Sequence, residues 1–202
     1  MMIKEKGMDY LNQIRGYIEK EKGVLDCLNA DAINLAMNEI VRARDEKNQI
    51  FIMGNGGSAA TASHYTGDFN KGLSLDREKK FRFYCLNDNV ATVLSLANDL
   101  CYEEIFVQQL KNFMDPGDIV IAISGSGNSE NIIRAVRYAK EKGNLVIGLT
   151  GYDGGKLKEL SDIQLHVPIH DMQITEDIHM IYDHLIMSIF YKTLAGKEHL
   201  RV

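Results

Sequence analysis

Twice in this chain a short apolar run stops in small residues and a helix-forming segment follows at once. Phe51-Ile52-Met53 runs into Gly54-Asn55-Gly56-Gly57-Ser58, and Ile121-Ala122-Ile123 into Ser124-Gly125-Ser126-Gly127-Asn128-Ser129. That order reads as a strand, a tight loop and a helix start. Glycine lets the backbone come close to a ligand, free N–H groups at a helix N-terminus favour an anion, and serine hydroxyls can bond its oxygens. Two such loops in one small domain point to a phosphorylated small molecule held from two sides.

The remaining pattern supplies a scaffold for those loops. Met8, Leu11, Ile14, Tyr17 and Ile18 recur at helical spacing, and Ile33, Leu35, Met37, Ile40 and Val41 do so again after a break near Gly23 to Asn29. Amphipathic helices ahead of the first strand need a surface to cover, and a subunit interface is a natural one. From Gln49 onward strands are expected near 50–53, 81–86, 119–123, 145–149 and 163–167. Helices are expected near 58–69, 89–97, 102–113, 129–142, 155–160 and 173–194. Short apolar strands alternating with helices imply a parallel sheet covered on both faces. The fold expected is α/β: a doubly wound, parallel five-stranded sheet flanked by helices. It forms one domain over residues 1–202, with a helical segment at 1–47 and the α/β core at 48–202. Residues 70–80, rich in charge, read as a mobile surface loop.

Composition narrows the partners. At 202 residues and 45% hydrophobic, the chain can bury one good core. A net charge of −5 gives no global basic footprint, so direct nucleic-acid binding is not expected. Cys27, Cys85 and Cys101 are widely spaced and form no C-x-x-C, which fits a reducing cytoplasm better than a disulfide framework. No apolar run approaches the ~20 residues needed to span a membrane, and a cytoplasmic location is expected.

The first loop also fits G-x-G-x-x-A at Gly54, Gly56 and Ala59, with Asp76 near the place of a ribose-binding carboxylate. Three features count against a dinucleotide site. Asp76 lies in a charged loop and not at the end of a second apolar strand, two helices precede the motif, and the Ser/Asn-rich second loop would have no role.

Five motifs in order resemble the sugar isomerase (SIS) superfamily: Gly54-Asn55-Gly56-Gly57-Ser58-Ala59-Ala60, Ala97-Asn98-Asp99, Ile123 to Ser129, Leu149 to Leu157, and Asp177-Ile178-His179. Within it the sequence is most similar to the phosphoheptose isomerase group, which interconverts sedoheptulose 7-phosphate and a heptose 7-phosphate. The resemblance implies a SIS, flavodoxin-like fold, a homotetramer with sites between subunits, and an aldose–ketose isomerisation through an enediol. Such chemistry needs a base, an acid and a group that polarises oxygen. It also implies a divalent metal, zinc in the family, held here by His64, Asp68, Glu176 and His184. His64 and Asp68 at i, i+4 share a helix face, whereas Glu176 and His184 are two turns and ~12 Å of rise apart. Asp68 and His184 would carry the protons. Asn55, Gly56, Gly57, Ser58, Asn98, Asp99, Ser124, Gly125, Ser126, Ser129 and Glu176 would contact substrate.

The departures from the family bear on chemistry. Asp68 stands where the family carries Glu and reaches one methylene less far. Glu176 stands for Gln, and two carboxylates with two imidazoles neutralise a divalent cation. The Ser-Thr-Ser phosphate loop is here Ser124-Gly125-Ser126, one hydroxyl fewer. Taken singly, each candidate has a plainer role: His64 and Asp68 as a surface hydrogen bond, His184 as a satisfied histidine beside Leu185 and Ile186. His179 supports packing or the metal surroundings, and His166, His170 and His199 read as structural. The rival reading is a non-catalytic SIS-domain phosphosugar-binding protein, of the kind that associates with a replication initiator or senses a sugar phosphate. The ligand set His64, Asp68, Glu176 and His184 separates the two readings, because an adaptor would not need it.

Overall fold

The computed structural model describes residues 8–194, so His199 lies outside the described residues. Two helices, α1 (Leu11–Leu25) and α2 (Ala30–Glu46), precede β1 (Ile50–Gly54), which leads into α3 (Gly57–Gly67). There follow β2 (Phe83–Cys85), α4 (Val90–Asp99), α5 (Val107–Phe113), β3 (Ile119–Ser124) and α6 (Glu130–Glu141). β4 (Leu145–Thr150), α7 (Gly155–Leu160), β5 (Ile163–His166) and α8 (Met172–Thr193) complete the described residues. All five strands are parallel in the order β2-β1-β3-β4-β5, with Ile50 level with Phe83 and Ile119.

Alternation along each strand builds two cores. Ile50, Ile52, Ile121, Ile123, Ile147 and Leu165 face α2, α3 and α8, while Phe51, Met53, Val120, Ala122 and Val146 face α5, α6 and α7. Burial on both faces is why the strands carry few polar residues. The strand order reverses direction between β1 and β3, and a crevice opens there outside the carboxyl ends of the strands, where such sheets bind ligands. Both glycine loops rim that crevice.

Three expectations change in detail. The helix expected over 102–113 breaks into a 3₁₀ turn at Tyr102–Glu104 and α5, with Ile105 and Phe106 buried at the break. The segment 70–80 is more anchored than its charge implies. Asp68–Gly72 forms a π-helical turn in which the Leu73 amide donates to the Asp68 carbonyl at 2.9 Å. Leu73 and Ser74 are buried, and Ser74 Oγ donates to the Phe69 carbonyl and accepts from the Phe81 amide. That anchoring leaves β2 shorter than expected, from Phe83 only. Asp76 lies exposed in a turn with φ of 55°, away from any strand end, as the objection to a dinucleotide site requires.

Helix α1 touches the body through Val24, buried in the core at its end, and through two polar contacts: Tyr17 donates to Asp177, and Lys20 Nζ meets Asp171 Oδ2 at 2.6 Å. Its apolar positions Leu11, Ile14 and Ile18, with Met8 shortly before it, remain exposed.

Candidate active site

Helix capping separates the ligand-facing helices from several of the others. Asn29, Asn89 and Asp171 cap α2, α4 and α8 by accepting from Ala32, Thr92 and Ile174 amides. The helices that start at the crevice, α3 after Gly56 and α6 after Ser129, have no side-chain cap. At α6 the Ile132 amide donates to Asn131 Oδ1 at 3.0 Å, which leaves the Glu130 and Asn131 amides for an anion, whereas at α3 the Glu176 carboxylate lies against Gly57.

The second loop is braced by the loop after β4. Gly127 has φ of 66°, and a Cβ there would overlap the carbonyl of Gly154, so glycine is required on two counts. The Gly151 amide donates to the Gly125 carbonyl at 2.8 Å, and the Leu157 amide to the Gly127 carbonyl at 2.9 Å. Within the loop Ser124 Oγ and Ser129 Oγ lie 3.4 Å apart, and Ser126 is exposed with its Oγ accepting from the Asn128 amide. Two hydroxyls thus meet beside the start of α6, and a third stands on the same loop. In the first loop Gly56 and Gly57 are exposed and Ser58 is buried.

Asn55 is placed differently from a free sugar contact. Its amide exchanges two hydrogen bonds with Asn131, at 3.0 and 2.9 Å, and its Oδ1 also accepts from the Tyr102 hydroxyl. This reciprocal pair ties the first loop to α6. Asn98 and Asp99 sit at the exposed end of α4 and bond to one another at 2.9 Å.

Helices α3 and α8 run side by side in the same direction, with Gly57 against Glu176, His64 against His184, and Gly72 against Met187. On that seam His64, Asp68, Asp183 and His184 bring one donor atom each to within 4.8 Å of one another. His64 Nε2 lies 3.1 Å from His184 Nε2, 3.5 Å from Asp68 Oδ2 and 3.8 Å from Asp183 Oδ2. Three of the four residues expected from sequence meet there. Glu176 does not: its carboxylate lies against Gly57, since two turns of helix separate it from His184. Asp183 takes the fourth place and was missed. Its signal was present as an acid within the buried run of α8 that includes Tyr182 and Ile186.

Asp183 is fully buried, and neither of its oxygens has a hydrogen-bond partner. Burial, reinforced by the Asp68 charge, pushes its carboxyl up to about 7. An orphaned buried carboxylate beside two imidazoles and a second carboxylate fits a divalent cation in charge and donor type. His184 also lines a groove of about 290 Å³ with Met187, Ser188, Tyr191 and Lys192. His179 is buried with neither ring nitrogen paired, His166 bonds Thr150, and His170 pairs with Asp153 at 3.2 Å.

An all-parallel sheet of this order, with two glycine loops at its reversal point and a His/Asp cluster on the adjoining helices, defines an open, doubly wound α/β domain. The family model for the SIS domain matches residues 9–151, and the chain belongs to that family. It groups there with isomerases. A phosphoheptose isomerase of Clostridium acetobutylicum is 36% identical over 187 residues, covering 92% of this chain and 95% of the relative. One from Crocosphaera subtropica is 39% identical over 155 residues, 77% of this chain and 79% of the relative. The solved phosphoheptose isomerase of Francisella tularensis superposes with a TM-score of 0.84 at 28% identity, over 92% of this chain and all of that one. Among the described residues no helix is long and apolar enough to cross a membrane.

Proposed function

We propose that the protein is a metal-assisted phosphosugar isomerase that interconverts sedoheptulose 7-phosphate and a heptose 7-phosphate. The observation that carries this reading is the shared seam of α3 and α8. It leads from the glycine loop at Gly57 to the donor cluster at His64, seven residues and about 10 Å further on. An extended chain of seven carbons is of about that length, counting single bonds of ~1.5 Å, so the seam takes the sugar chain and leaves its phosphate to the second loop. The relatives' shared name supports the same substrate.

In this reading the phosphate sits on Ser124, Ser126, Ser129 and the first amides of α6. Ser58, Gly56 and Gly57 hold the sugar chain from the other loop, and Asn98 and Asp99 close over it from α4. A divalent metal bound by the cluster, zinc in the first instance, supplies Lewis-acid polarisation of the carbonyl oxygen. Asp68 takes the proton from one of the two adjacent carbons and returns it to the other. His184 would give the proton of Nδ1, the ring nitrogen not in the donor cluster, to one oxygen and recover one from the other. Both groups stand at the same end of the seam, so acid and base reach neighbouring atoms.

The exposed apolar face of α1, together with Leu35, is covered in a homotetramer. A cytoplasmic location follows from a phosphorylated metabolite as substrate. The test is metal analysis of the purified protein with a coupled assay on sedoheptulose 7-phosphate and a panel of five- to seven-carbon ketose phosphates. Turnover by a metal-containing protein supports the proposal. A metal-free protein that binds these sugars without turnover would establish the binding-protein alternative.

A further inference from the structure

We infer that Asp183, and not Glu176, is the fourth ligand of the metal centre, leaving Glu176 to face the substrate from the N-terminus of α3. The inference rests on the metal-assisted reading and specifies which side chains of this chain serve it.

Three observations converge on Asp183. Its carboxylate belongs to the set of four donors within 4.8 Å, it is fully enclosed, and both oxygens lack any hydrogen-bond partner. A buried carboxylate without partners is costly unless an opposite charge sits beside it. The nearest cationic group is His64, whose Nε2 lies 3.8 Å from Asp183 Oδ2 without a hydrogen bond, and as a metal ligand it would be neutral. Helix geometry sets Asp183 and His184 about 100° apart around α8. Asp183 therefore approaches the donor cluster from the core and His184 from solvent, which gives convergence from two sides. Asp68, a short acid at the start of the π-helical turn after α3, completes two carboxylates and two imidazoles, and the sum neutralises a divalent cation with no further acid.

Glu176 is held elsewhere. A Cβ built on Gly57 would lie 2.6 Å from Glu176 Oε2 and 2.7 Å from its Cδ, so the carboxylate rests on the first residue of α3. A negative charge at an uncapped helix N-terminus is favoured there, and moving it to the metal would forfeit that. The position also has a consequence for the ligand. With a carboxylate of its own at the start of α3, the first loop repels a phosphate and accepts hydroxyl groups. The phosphate is thereby directed to the Ser124–Ser129 loop.

The experiment compares zinc dissociation constants, by competition with a chromophoric chelator, for the wild type, Asp183→Asn and Glu176→Gln, with the cobalt(II) absorption band of each. Asp183→Asn is isosteric and should weaken zinc binding by at least about tenfold and alter the band, whereas Glu176→Gln should change the constant by less than about threefold. Loss of zinc in Glu176→Gln, with Asp183→Asn unaffected, overturns this inference and leaves the isomerase reading standing. A wild type that binds no zinc or cobalt overturns both. Should Asp183→Asn fail to fold, the Glu176→Gln spectrum alone decides: an unchanged band supports the assignment and a changed one refutes it.

Discussion

His64 Nε2 and His184 Nε2 stand 3.1 Å apart although 120 residues separate them, and their rings are inclined at 72°. Without an ion one nitrogen must donate to the other; with one, both lone pairs are shared. Metal binding should therefore stabilise the fold. At a free zinc concentration about 100 times the dissociation constant the gain is about 2.7 kcal/mol, or roughly 5–10 °C in Tm for a chain of this size. Differential scanning fluorimetry with zinc and then with a chelator should show the rise and its reversal. His64→Ala should abolish the shift.

Proton transfer and phosphate binding should separate in the kinetics. Asp68→Ala and His184→Ala are expected to lower kcat by about 10²–10⁴-fold, the usual contribution of a positioned acid or base. Ser126→Ala removes one hydroxyl from the phosphate loop and should raise KM roughly tenfold with kcat little changed. Steady-state assays of the three variants on the same ketose phosphate check this. Unchanged kcat in the first pair would remove Asp68 and His184 from the chemistry.

The strands and both glycine loops were legible in the sequence because apolar runs ending in Gly and Ser report backbone geometry directly. The common face of His64 and Asp68 was legible for a similar reason, since the two stand four residues apart on one helix, whereas their part in a metal site was read from the family resemblance. Asp183 was not, since its role depends on how α8 lies against α3, and no local spacing encodes that. The direction of Glu176 depends on the same packing. It aligns with a ligand position, yet its direction is set by the open space above Gly57. The engagement of Asn55 with Asn131 was likewise invisible, because it links residues 76 apart.

Stability should respond to pH through His179. Burial holds its imidazole down to about 4, against 6.5 in the unfolded chain, with the backbone of Thr150 acting weakly in the other direction. Between these values the unfolded state binds more protons, so the His179 contribution is complete above pH 6.5 and is lost as pH falls towards 4. Its size is about 3 kcal/mol. Asp183 acts oppositely, because its raised pKa favours the folded state at low pH and the benefit disappears as pH rises through about 7. Metal-free Asp183→Asn should therefore lose stability between pH 7 and 4.5 in urea titrations, while the metal-free wild type changes less over that window.

Gly127→Ala should disturb the phosphate loop at its brace. The substitution places a side chain at positive φ and against the carbonyl of Gly154. The left-handed conformation alone costs about 1–2 kcal/mol, and the overlap forces the two loops apart. We expect a lower urea midpoint and weaker binding of inorganic phosphate, measured by calorimetry, with zinc binding retained.

The π-helical turn after α3 joins two demands that proteins usually keep apart. Asp68 opens the turn and faces the donor cluster, while the next residue, Phe69, is fully buried and stacks on Phe83 at 4.2 Å. Deleting one residue here would restore α-helical pitch and rotate everything beyond it by about 100°. Phe69, its neighbour Phe81 and the acid at position 68 would be re-aimed relative to one another. Variation in this segment is thus confined to changes that suit the aromatic core and the ligand sphere at once, and a length change in residues 68–72 would be inherited only with compensation on both sides.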